Sequence, residues 1–269
     1  MRFSIITPVF DPCLESLELL YKDLSSQTYG DWVWMLCSNS FSEKMQRFVT
    51  SKKSLGENRV TYFSTGYAEE TNKYSRLANI GERRNFCIEK ADSDYLFMID
   101  ADAKILDADA FRVINHALSL DPRSICLYKI MHEVGVLPIF PITYLRIDLL
   151  NFCVKTSLAK KVGYPTKINY QIPPNDWRFF GKAYDACKGD YLFIDKVLFE
   201  HNGNNRYSTA LKMLYPDKTT RSKREQEKDY IFYCVRRNNL LGLLNLVKEF
   251  VVQRKILPES AILKTKFYA

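Results

Sequence analysis

The sequence has 269 residues, of which 46% are hydrophobic and 26% are charged, and it carries a net charge of +8. A chain of this length can bury one sizeable core with an appendage, and its composition excludes a disordered or fibrous protein. The first ten residues do not have the pattern of a signal peptide, and no apolar run reaches the roughly 18 residues of a membrane-spanning helix.

The first half of the chain alternates between strand-like and helix-like segments. In chain order we predict strand 2–9, helix 14–24, strand 31–37, helix 43–53, strand 59–63, helix 80–90 and strand 95–99. Such alternation is typical of an α/β fold with a mainly parallel, Rossmann-like sheet and flanking helices. Ligands of these sheets bind beyond the carboxyl ends of the strands, which here are residues 7–11, 38–42 and 100–103.

The second half is less regular. We predict a helix over 107–120, strands over 125–130, 146–154 and 191–199, and a helix after Pro173-Pro174 that carries Trp177, Phe180, Tyr184 and Cys187 on one face. The predicted first domain spans residues 1–210, and its two halves, 1–105 and 106–210, meet at about residue 105.

The last segment, 211–269, is predicted to be a basic helical extension. Residues 212–266 contain 13 Lys and Arg against 6 Asp and Glu, so most of the net charge lies there. Basic helices of this kind either face water or dock on anionic lipid headgroups. Nucleic-acid binding would require exposed aromatic residues interleaved with the basic ones on one face, so we expect no nucleic-acid partner.

The seven cysteines are scattered, with no Cys-x-x-Cys pair and no cluster. An odd, dispersed set is typical of reduced core cysteines rather than of a zinc site or a disulfide framework. We therefore expect a cytoplasmic protein, in contact with the inner face of the membrane if the basic extension docks there. The sequence leaves the oligomeric state open.

Two aspartates, Asp100 and Asp102, directly follow the apolar strand 95–99. Acids at positions i and i+2 around a turn can converge on one hard cation, which prefers oxygen ligands. Such a cation can bridge two phosphates and neutralise the charge of a leaving diphosphate. The alternative is ordinary capping of the next helix, but the position at a buried strand end favours a site for Mn²⁺ or Mg²⁺.

Three ordered sets of residues occur between about residues 3 and 208. The first is Ser4-Ile-Ile-Thr-Pro8-Val-Phe10, and the second is Arg84-Asn85, Ala91, Tyr95-Leu96 and Ile99-Asp100-Ala-Asp102. The third is Asn175-Asp176-Trp177, Gly189, Ile194-Asp195, Leu198-Phe199 and His201. Together they resemble the family 2 inverting glycosyltransferases of the GT-A fold, which use nucleotide-sugars and an Asp-x-Asp motif.

The resemblance implies a role for each matching residue. Pro8, Val9 and Phe10 would line the nucleotide pocket, and Arg84 and Asn85 would lie near the diphosphate or sugar of the donor. Asp100, with Ala101 beside it, would contact ribose or the donor sugar. Asp102 would hold Mn²⁺ or Mg²⁺, and His201 would complete the metal shell. Asp176 would be the general base.

The implied reaction is transfer of a hexose from a nucleotide-sugar, with a UDP-sugar favoured, to a saccharide or a lipid-linked saccharide. Bacterial surface polysaccharide synthesis is the setting that the family implies. One departure concerns the nucleotide, because Ser38-Asn39-Ser40 replaces the usual Asp-Asp-Gly-Ser. Asn39 would still hydrogen-bond a base edge. Arg206, in the polar loop after His201, would reach a phosphate when that loop closes, whereas His116 and His132 are interpreted as structural or exposed.

The residues around Asp176 support the base independently. In-line displacement needs a base on the face of the sugar opposite the leaving diphosphate, so it comes best from a different element than the metal ligands. Asp176 opens a helix after a rigid Pro-Pro turn. The helix dipole alone also favours an aspartate there, so without the resemblance it would be interpreted as a cap.

Other classes make different demands. A nucleotidyltransferase or a nicotinamide dehydrogenase needs a glycine-rich loop after the first strand, and residues 10–14 contain no glycine. A non-catalytic nucleotide-sugar binding module would keep the pocket without needing Asp176. That alternative stays open at this point.

Overall fold

The computed structural model describes residues 1–66, 73–132, 135–138, 142, 147–166 and 175–201. All of them belong to one compact unit. The predicted extension 211–269 and Arg206 lie outside the described residues, so both stay predictions. Among the described helices, none is both long and apolar enough to cross a membrane.

The predicted elements that lie in the described residues occur in the predicted order, together with two short strands and one short α-helix that the sequence does not predict, at 104–105, 135–137 and 156–162. The described α-helices and strands are β1 (Phe3–Pro8), α1 (Leu14–Ser25), β2 (Trp32–Ser38), α2 (Glu43–Ser54), β3 (Val60–Ser64), α3 (Lys73–Lys90), β4 (Tyr95–Met98), β5 (Lys104–Ile105), α4 (Ala110–Leu120), β6 (Ile125–His132), β7 (Gly135–Leu137), β8 (Phe152–Lys155), α5 (Thr156–Val162), α6 (Asn175–Ala186) and β9 (Tyr191–Glu200).

These strands form one sheet in the order β3-β2-β1-β4-β8-β6-β9-β5, with β7 paired to β6. The half from β3 to β4 is parallel throughout. In the other half β8 is antiparallel to both β4 and β6, whereas β6 and β9 are parallel. The predicted α/β fold is confirmed, with its parallel pairing concentrated in the first half.

Both faces of the parallel strands are covered. In β1, Phe3 and Ile5 contribute to one core cluster and Ile6 to the other, and in β4 the same division separates Phe97 from Met98. A strand that is buried on both faces has a nearly continuous apolar sequence, so these strands can be predicted from the sequence. Each fully buried large side chain contributes roughly 1.5–3 kcal/mol.

Two elements differ from the prediction. Helix α3 starts at Lys73 rather than at residue 80. Of the predicted strand 146–154, residue 146 lies outside the described residues and only 152–154 are in a strand, because Leu149–Asn151 forms a 3-10 turn and the strand is Phe152–Lys155. The Asp148 side chain accepts the Leu150 N–H (2.9 Å), and such local bonds compete with strand pairing.

The buried face of α6 also differs from the predicted one. Phe179, Phe180 and Ala183 are its buried residues, whereas Trp177 is half-buried and Tyr184 is exposed. Phe179 lies against Tyr164, with ring centroids 5.3 Å apart. The six described cysteines are all free thiols.

Candidate active site

The carboxyl ends of β1, β2 and β4 meet at one edge of the sheet. Their tips are tied together by hydrogen bonds, from Val9 N–H to the Cys37 carbonyl (2.8 Å) and from Ile99 N–H to the Ile6 carbonyl (3.1 Å). The buried Thr7 hydroxyl donates to the Ile99 carbonyl (2.6 Å). These hydrogen bonds fix the ends of the strands, and with them the start of the segment that carries Asp100 and Asp102.

Arg84, on α3, joins two acids that are distant in the sequence. Its Nη2 donates to Asp100 Oδ1 (2.7 Å) and its Nη1 to Asp176 Oδ1 (3.3 Å). The Arg84 side chain is only 5% exposed, whereas those of Asp100 and Asp176 are 56% and 42% exposed. One buried guanidinium thus holds the tip of β4 and the first turn of α6 together, with both carboxylates reaching solvent.

The charge of Arg84 is stable in this position. Burial alone would lower the pKa of Arg84, but Asp100, Tyr164 and Asp176 around it hold its pKa above the ordinary value. Arg84 Nη1 also donates to the Tyr164 hydroxyl (2.6 Å), and its guanidinium lies over the Tyr164 ring. Arg84 is therefore a permanent cation whose two terminal nitrogens bond protein groups, whereas its buried Nε has no hydrogen-bond partner among the described residues.

Tyr164 is held in place by α3. Asn85 Nδ2 donates to the Tyr164 carbonyl (2.9 Å), and the Tyr164 N–H donates to Asn85 Oδ1 (2.7 Å). Both amide groups of Asn85 are thus used on one backbone unit. Asn85 therefore positions Tyr164. The Tyr164 hydroxyl in turn donates a hydrogen bond to Asp176 Oδ1.

Gly81 allows this close approach. A Cβ at position 81 would stand 2.9 Å from the Pro165 carbonyl oxygen and 3.3 Å from Tyr164 Cδ1. The run Gly81-Glu-Arg-Arg84-Asn85 therefore acts as a unit on one helix. Gly81 admits the segment that carries Tyr164, Asn85 fixes its backbone, and Arg84 bonds its hydroxyl.

Replacing Gly81 with alanine is expected to lower the free energy of unfolding by about 1–3 kcal/mol, because overpacking against backbone outweighs the better helix propensity. Gly181, on α6, is the matched control, since a Cβ there would meet nothing within 4 Å. Gly181→Ala should be neutral or stabilising by up to about 1 kcal/mol. Urea unfolding of both variants checks this, and equal stabilisation of the two would contradict it.

Asp176 lies in the first turn of α6, where its surroundings shift its pKa in both directions. Burial raises the pKa of Asp176, while the Arg84 charge and the Tyr164 hydroxyl act in the opposite direction. Both donors meet the same oxygen, Oδ1. A carboxylate that is held on one oxygen and 42% exposed can present the other to a ligand.

Asp102 differs from Asp100. Asp100 is exposed and paired with Arg84, whereas Asp102 is half-buried. Burial, followed by the charge of Asp100, raises the pKa of Asp102 to about 6, and His201 acts against this shift. An acid that is costly to ionise is stabilised when a cation binds it, which fits the metal role predicted for Asp102.

A second group of ligand-type residues lies beside Asp102. The possible ligand atoms of His132, Asp148 and His201 all lie within 4.8 Å of one another. The imidazoles of His132 and His201 are stacked, with centroids 4.4 Å apart. His201 Nδ1 is buried and has no hydrogen-bond partner in the part of the chain that the structure describes. Two imidazoles and a carboxylate are a donor set that can bind divalent first-row transition-metal ions.

His132 and Asp148 were not predicted as site residues. His132 was interpreted as structural or exposed, but it is half-buried against His201. Asp148 raises the pKa values of both Asp102 and Asp176 through its charge. No local sequence signal marks either residue, because His132 meets His201 through the pairing of β6 with β9 and Asp148 comes from the turn before β8.

The remaining predicted residues occupy the same edge with different exposure. Pro8 is half-buried and Phe10 is 37% exposed, so both can face a ligand. Val9 is fully buried, and its carbonyl accepts from Arg83 Nη1 (3.0 Å), so its contribution would be to hold Phe10. Asn39 and Ala101 are nearly buried behind the edge.

This architecture is a GT-A-like glycosyltransferase fold. The sequence matches no protein-family model and no curated protein. Among solved structures, S. aureus TarS 1–349 in complex with UDP matches with a TM-score of 0.59 and 13% sequence identity, over 87% of this chain and 70% of that chain. A further TarS 1–349 structure gives 0.59 and 17%, over 99% of this chain and 76% of that chain.

The mannosyltransferase PcManGT from Pyrobaculum calidifontis, in complex with GDP-Man and Mn²⁺, is also similar. Its TM-score is 0.57 at 13% identity, and the match covers 97% of this chain and 78% of that chain. At these identities the likeness defines the fold. The strand-tip edge that carries Asp100 and Asp102 thus belongs to a fold that these proteins share.

Proposed function

We propose that the chain is a metal-dependent, inverting glycosyltransferase that moves a hexose from a nucleoside-diphosphate sugar to a hydroxyl of a saccharide or lipid-linked saccharide. The observation that carries the proposal is the double contact of Arg84 with Asp100 and Asp176. It brings a strand-tip acid and an acid from α6 to one site. A displacement at an anomeric carbon needs such an arrangement of donor contact and base.

In the proposed reaction Asp176 removes the proton from the acceptor hydroxyl. The acceptor oxygen forms a bond to the anomeric carbon as the bond to the diphosphate oxygen breaks, so the configuration inverts. Arg84 and the Tyr164 hydroxyl hold Oδ1, which leaves Oδ2 to receive the proton. Burial raises the pKa of Asp176, which makes it a stronger base than an ordinary aspartate.

Asp102 and His201 would hold Mn²⁺ or Mg²⁺ at the edge of the sheet. When bound, the ion neutralises charge on the leaving nucleoside diphosphate. Asp100, fixed by Arg84, is placed to contact ribose or the donor sugar. Phe10 and Asn39 lie at the ends of β1 and β2, where a nucleoside would bind in a parallel sheet.

The donor class is supported by the fold relatives. TarS was solved with UDP and with UDP-GlcNAc, and PcManGT with GDP-Man and Mn²⁺. We favour a UDP-sugar, used in the cytoplasm for bacterial surface polysaccharide synthesis. The replacement of an acid by Asn39 leaves room for a different base, so the nucleotide is best determined directly.

Incubation with UDP-, GDP- and dTDP-sugars tests the proposal. We expect slow hydrolysis of one nucleotide class in Mn²⁺ or Mg²⁺, loss of hydrolysis with EDTA, and recovery when metal is restored. Released nucleoside diphosphate, measured by chromatography, is the readout. Tight donor binding without turnover would favour the non-catalytic binding module, and turnover that EDTA leaves unchanged would remove the metal from the proposal.

A further inference from the structure

We propose that His132, Asp148 and His201 form a protein-built site for a transition-metal ion, which loads before any nucleotide arrives. The inference rests on the proposed function for the use of the ion, but not for its binding. It adds two ligands, His132 and Asp148, to those that the sequence predicts. It also implies a different metal preference from that of two aspartates alone.

The sheet sets the positions of the two histidines. His132 is the last residue of β6, and His201 follows directly after β9, its parallel neighbour. The His201 N–H donates to the Met131 carbonyl (2.8 Å), which continues the ladder to the end of both strands. Their stacked rings are therefore held side by side by backbone pairing rather than by a mobile loop.

One ring nitrogen of His201, Nδ1, is buried without a hydrogen-bond partner among the described residues. A buried polar atom left unsatisfied costs about 1–3 kcal/mol, so such atoms in folded proteins have a reason. Neutral imidazole nitrogens are the commonest protein ligands of transition metals, and an ion bound at Nδ1 in the ring plane of His201 would satisfy this atom.

Asp148 supplies the negative charge and is fixed in orientation. One of its oxygens accepts the Leu150 N–H (2.9 Å), and its own N–H donates to Asn151 Oδ1 (2.7 Å). The carboxylate that caps this turn thereby faces the two histidines. Outer hydrogen bonds of this kind orient metal ligands in known sites.

The spacing requires only a small closure. The ligand atoms lie within 4.8 Å of one another, whereas two nitrogens bound to one tetrahedral ion stand about 3.4 Å apart. Turning the two rings out of their stacked arrangement would close this difference, because the nitrogen lone pairs lie in the ring planes. Three protein ligands would leave further coordination positions open, which is where diphosphate oxygens and Asp102 would bind.

The donor set selects the ion. Two imidazoles and one carboxylate favour Co²⁺, Ni²⁺ or Zn²⁺ over Mn²⁺, and all of them over Mg²⁺, which prefers oxygen ligands and retains its water. An Asp-x-Asp site without these histidines would show little such preference. Three ligands from the protein also make binding independent of the nucleotide.

Metal titration of the full chain, stripped with chelator and free of nucleotide, tests the inference. We expect one equivalent of Co²⁺ to bind with a visible ligand-field spectrum, and calorimetry to give affinity for Zn²⁺ at least about 100-fold above that for Mg²⁺. His132→Ala and Asp148→Asn should each weaken Co²⁺ binding about 10-fold or more. Asn still caps a turn, so Asp148→Asn removes charge without removing the cap.

His116→Ala is the matched control, because His116 is exposed on α4 and should leave the titration unchanged. Circular dichroism confirms that each variant is folded. Absence of nucleotide-free binding overturns the inference, as does a titration that Asp102→Asn abolishes while His132→Ala and Asp148→Asn leave it intact. If donor hydrolysis fails but this titration succeeds, the proposed function falls and the metal site remains.

Discussion

Replacing Asp176 with asparagine is expected to lower sugar transfer by about 10²–10⁴-fold while leaving donor binding intact, because the variant keeps the shape of the side chain and loses the base. In the proposed reaction the acid that contacts the donor is Asp100, which pairs with Arg84, and not Asp176. Initial rates with the donor found by hydrolysis, together with donor affinity by calorimetry, give the two quantities. Asp185→Asn, an exposed aspartate on the same helix, is the control.

The pH profile separates a base from a merely structural acid. Asp176 must be ionised to accept a proton, so kcat/KM should rise with pH through the pKa of Asp176. The Tyr164 hydrogen bond lowers that pKa, so Tyr164→Phe should move this acidic limb to higher pH with metal held saturating. Transfer by Asp176→Asn at the wild-type rate would remove the base assignment, whatever Tyr164→Phe shows.

The parallel half of the fold can be predicted from the sequence because local patterns determine it. β1 and β4 are short, largely apolar strands buried on both faces, and the apolar run of β4 ends one residue before Asp100. The 3-10 turn at Leu149–Asn151 could not be predicted in this way. Two side-chain hydrogen bonds of Asp148 and Asn151 override the apolar run around them.

Within the candidate site, the resemblance predicts roles for Arg84, Asp100, Asp102, Asp176 and His201. It does not predict that Arg84 bonds Tyr164, since these two residues are 80 apart in the sequence and meet only because α3 packs on the segment after α5. The sequence also does not predict that Gly81 allows the close approach of Tyr164 and Pro165. A glycine that admits a neighbouring backbone leaves no periodicity or charge pattern from which its contact can be predicted.

The two acids of the Asp-x-Asp motif should respond oppositely to neutralisation in metal-free protein. Burial raises the pKa of Asp102 from 3.8 to about 6, so at pH 7.5 the fold carries an ionised group that it disfavours. Asp102→Asn should therefore stabilise the metal-free protein by about 1–3 kcal/mol. Asp100→Asn should destabilise it by about 1 kcal/mol, because it breaks a pair with the buried Arg84.

The stability difference between Asp102→Asn and wild type should depend on pH. Between pH 3.8 and about 6 the folded protein holds a proton on Asp102 that the unfolded chain releases, so this group's contribution to stability falls as pH rises through that window. The advantage of Asp102→Asn should accordingly be full above pH 6 and vanish near pH 4. Thermal unfolding in chelator across this range measures it.

Saturating metal should reverse the order of wild type and Asp102→Asn, because an ion bound only by the folded state stabilises wild type more than a variant with one ligand fewer. Sugar transfer by Asp102→Asn should be lost even where its stability is higher. A lower melting temperature of Asp102→Asn than of wild type in chelator at pH 7.5 would mean that Asp102 is bonded within the fold rather than reserved for a cation. The half-buried acid at the tip of β4 would then have a structural reason, and the metal would have to be held by His132, Asp148 and His201 without it.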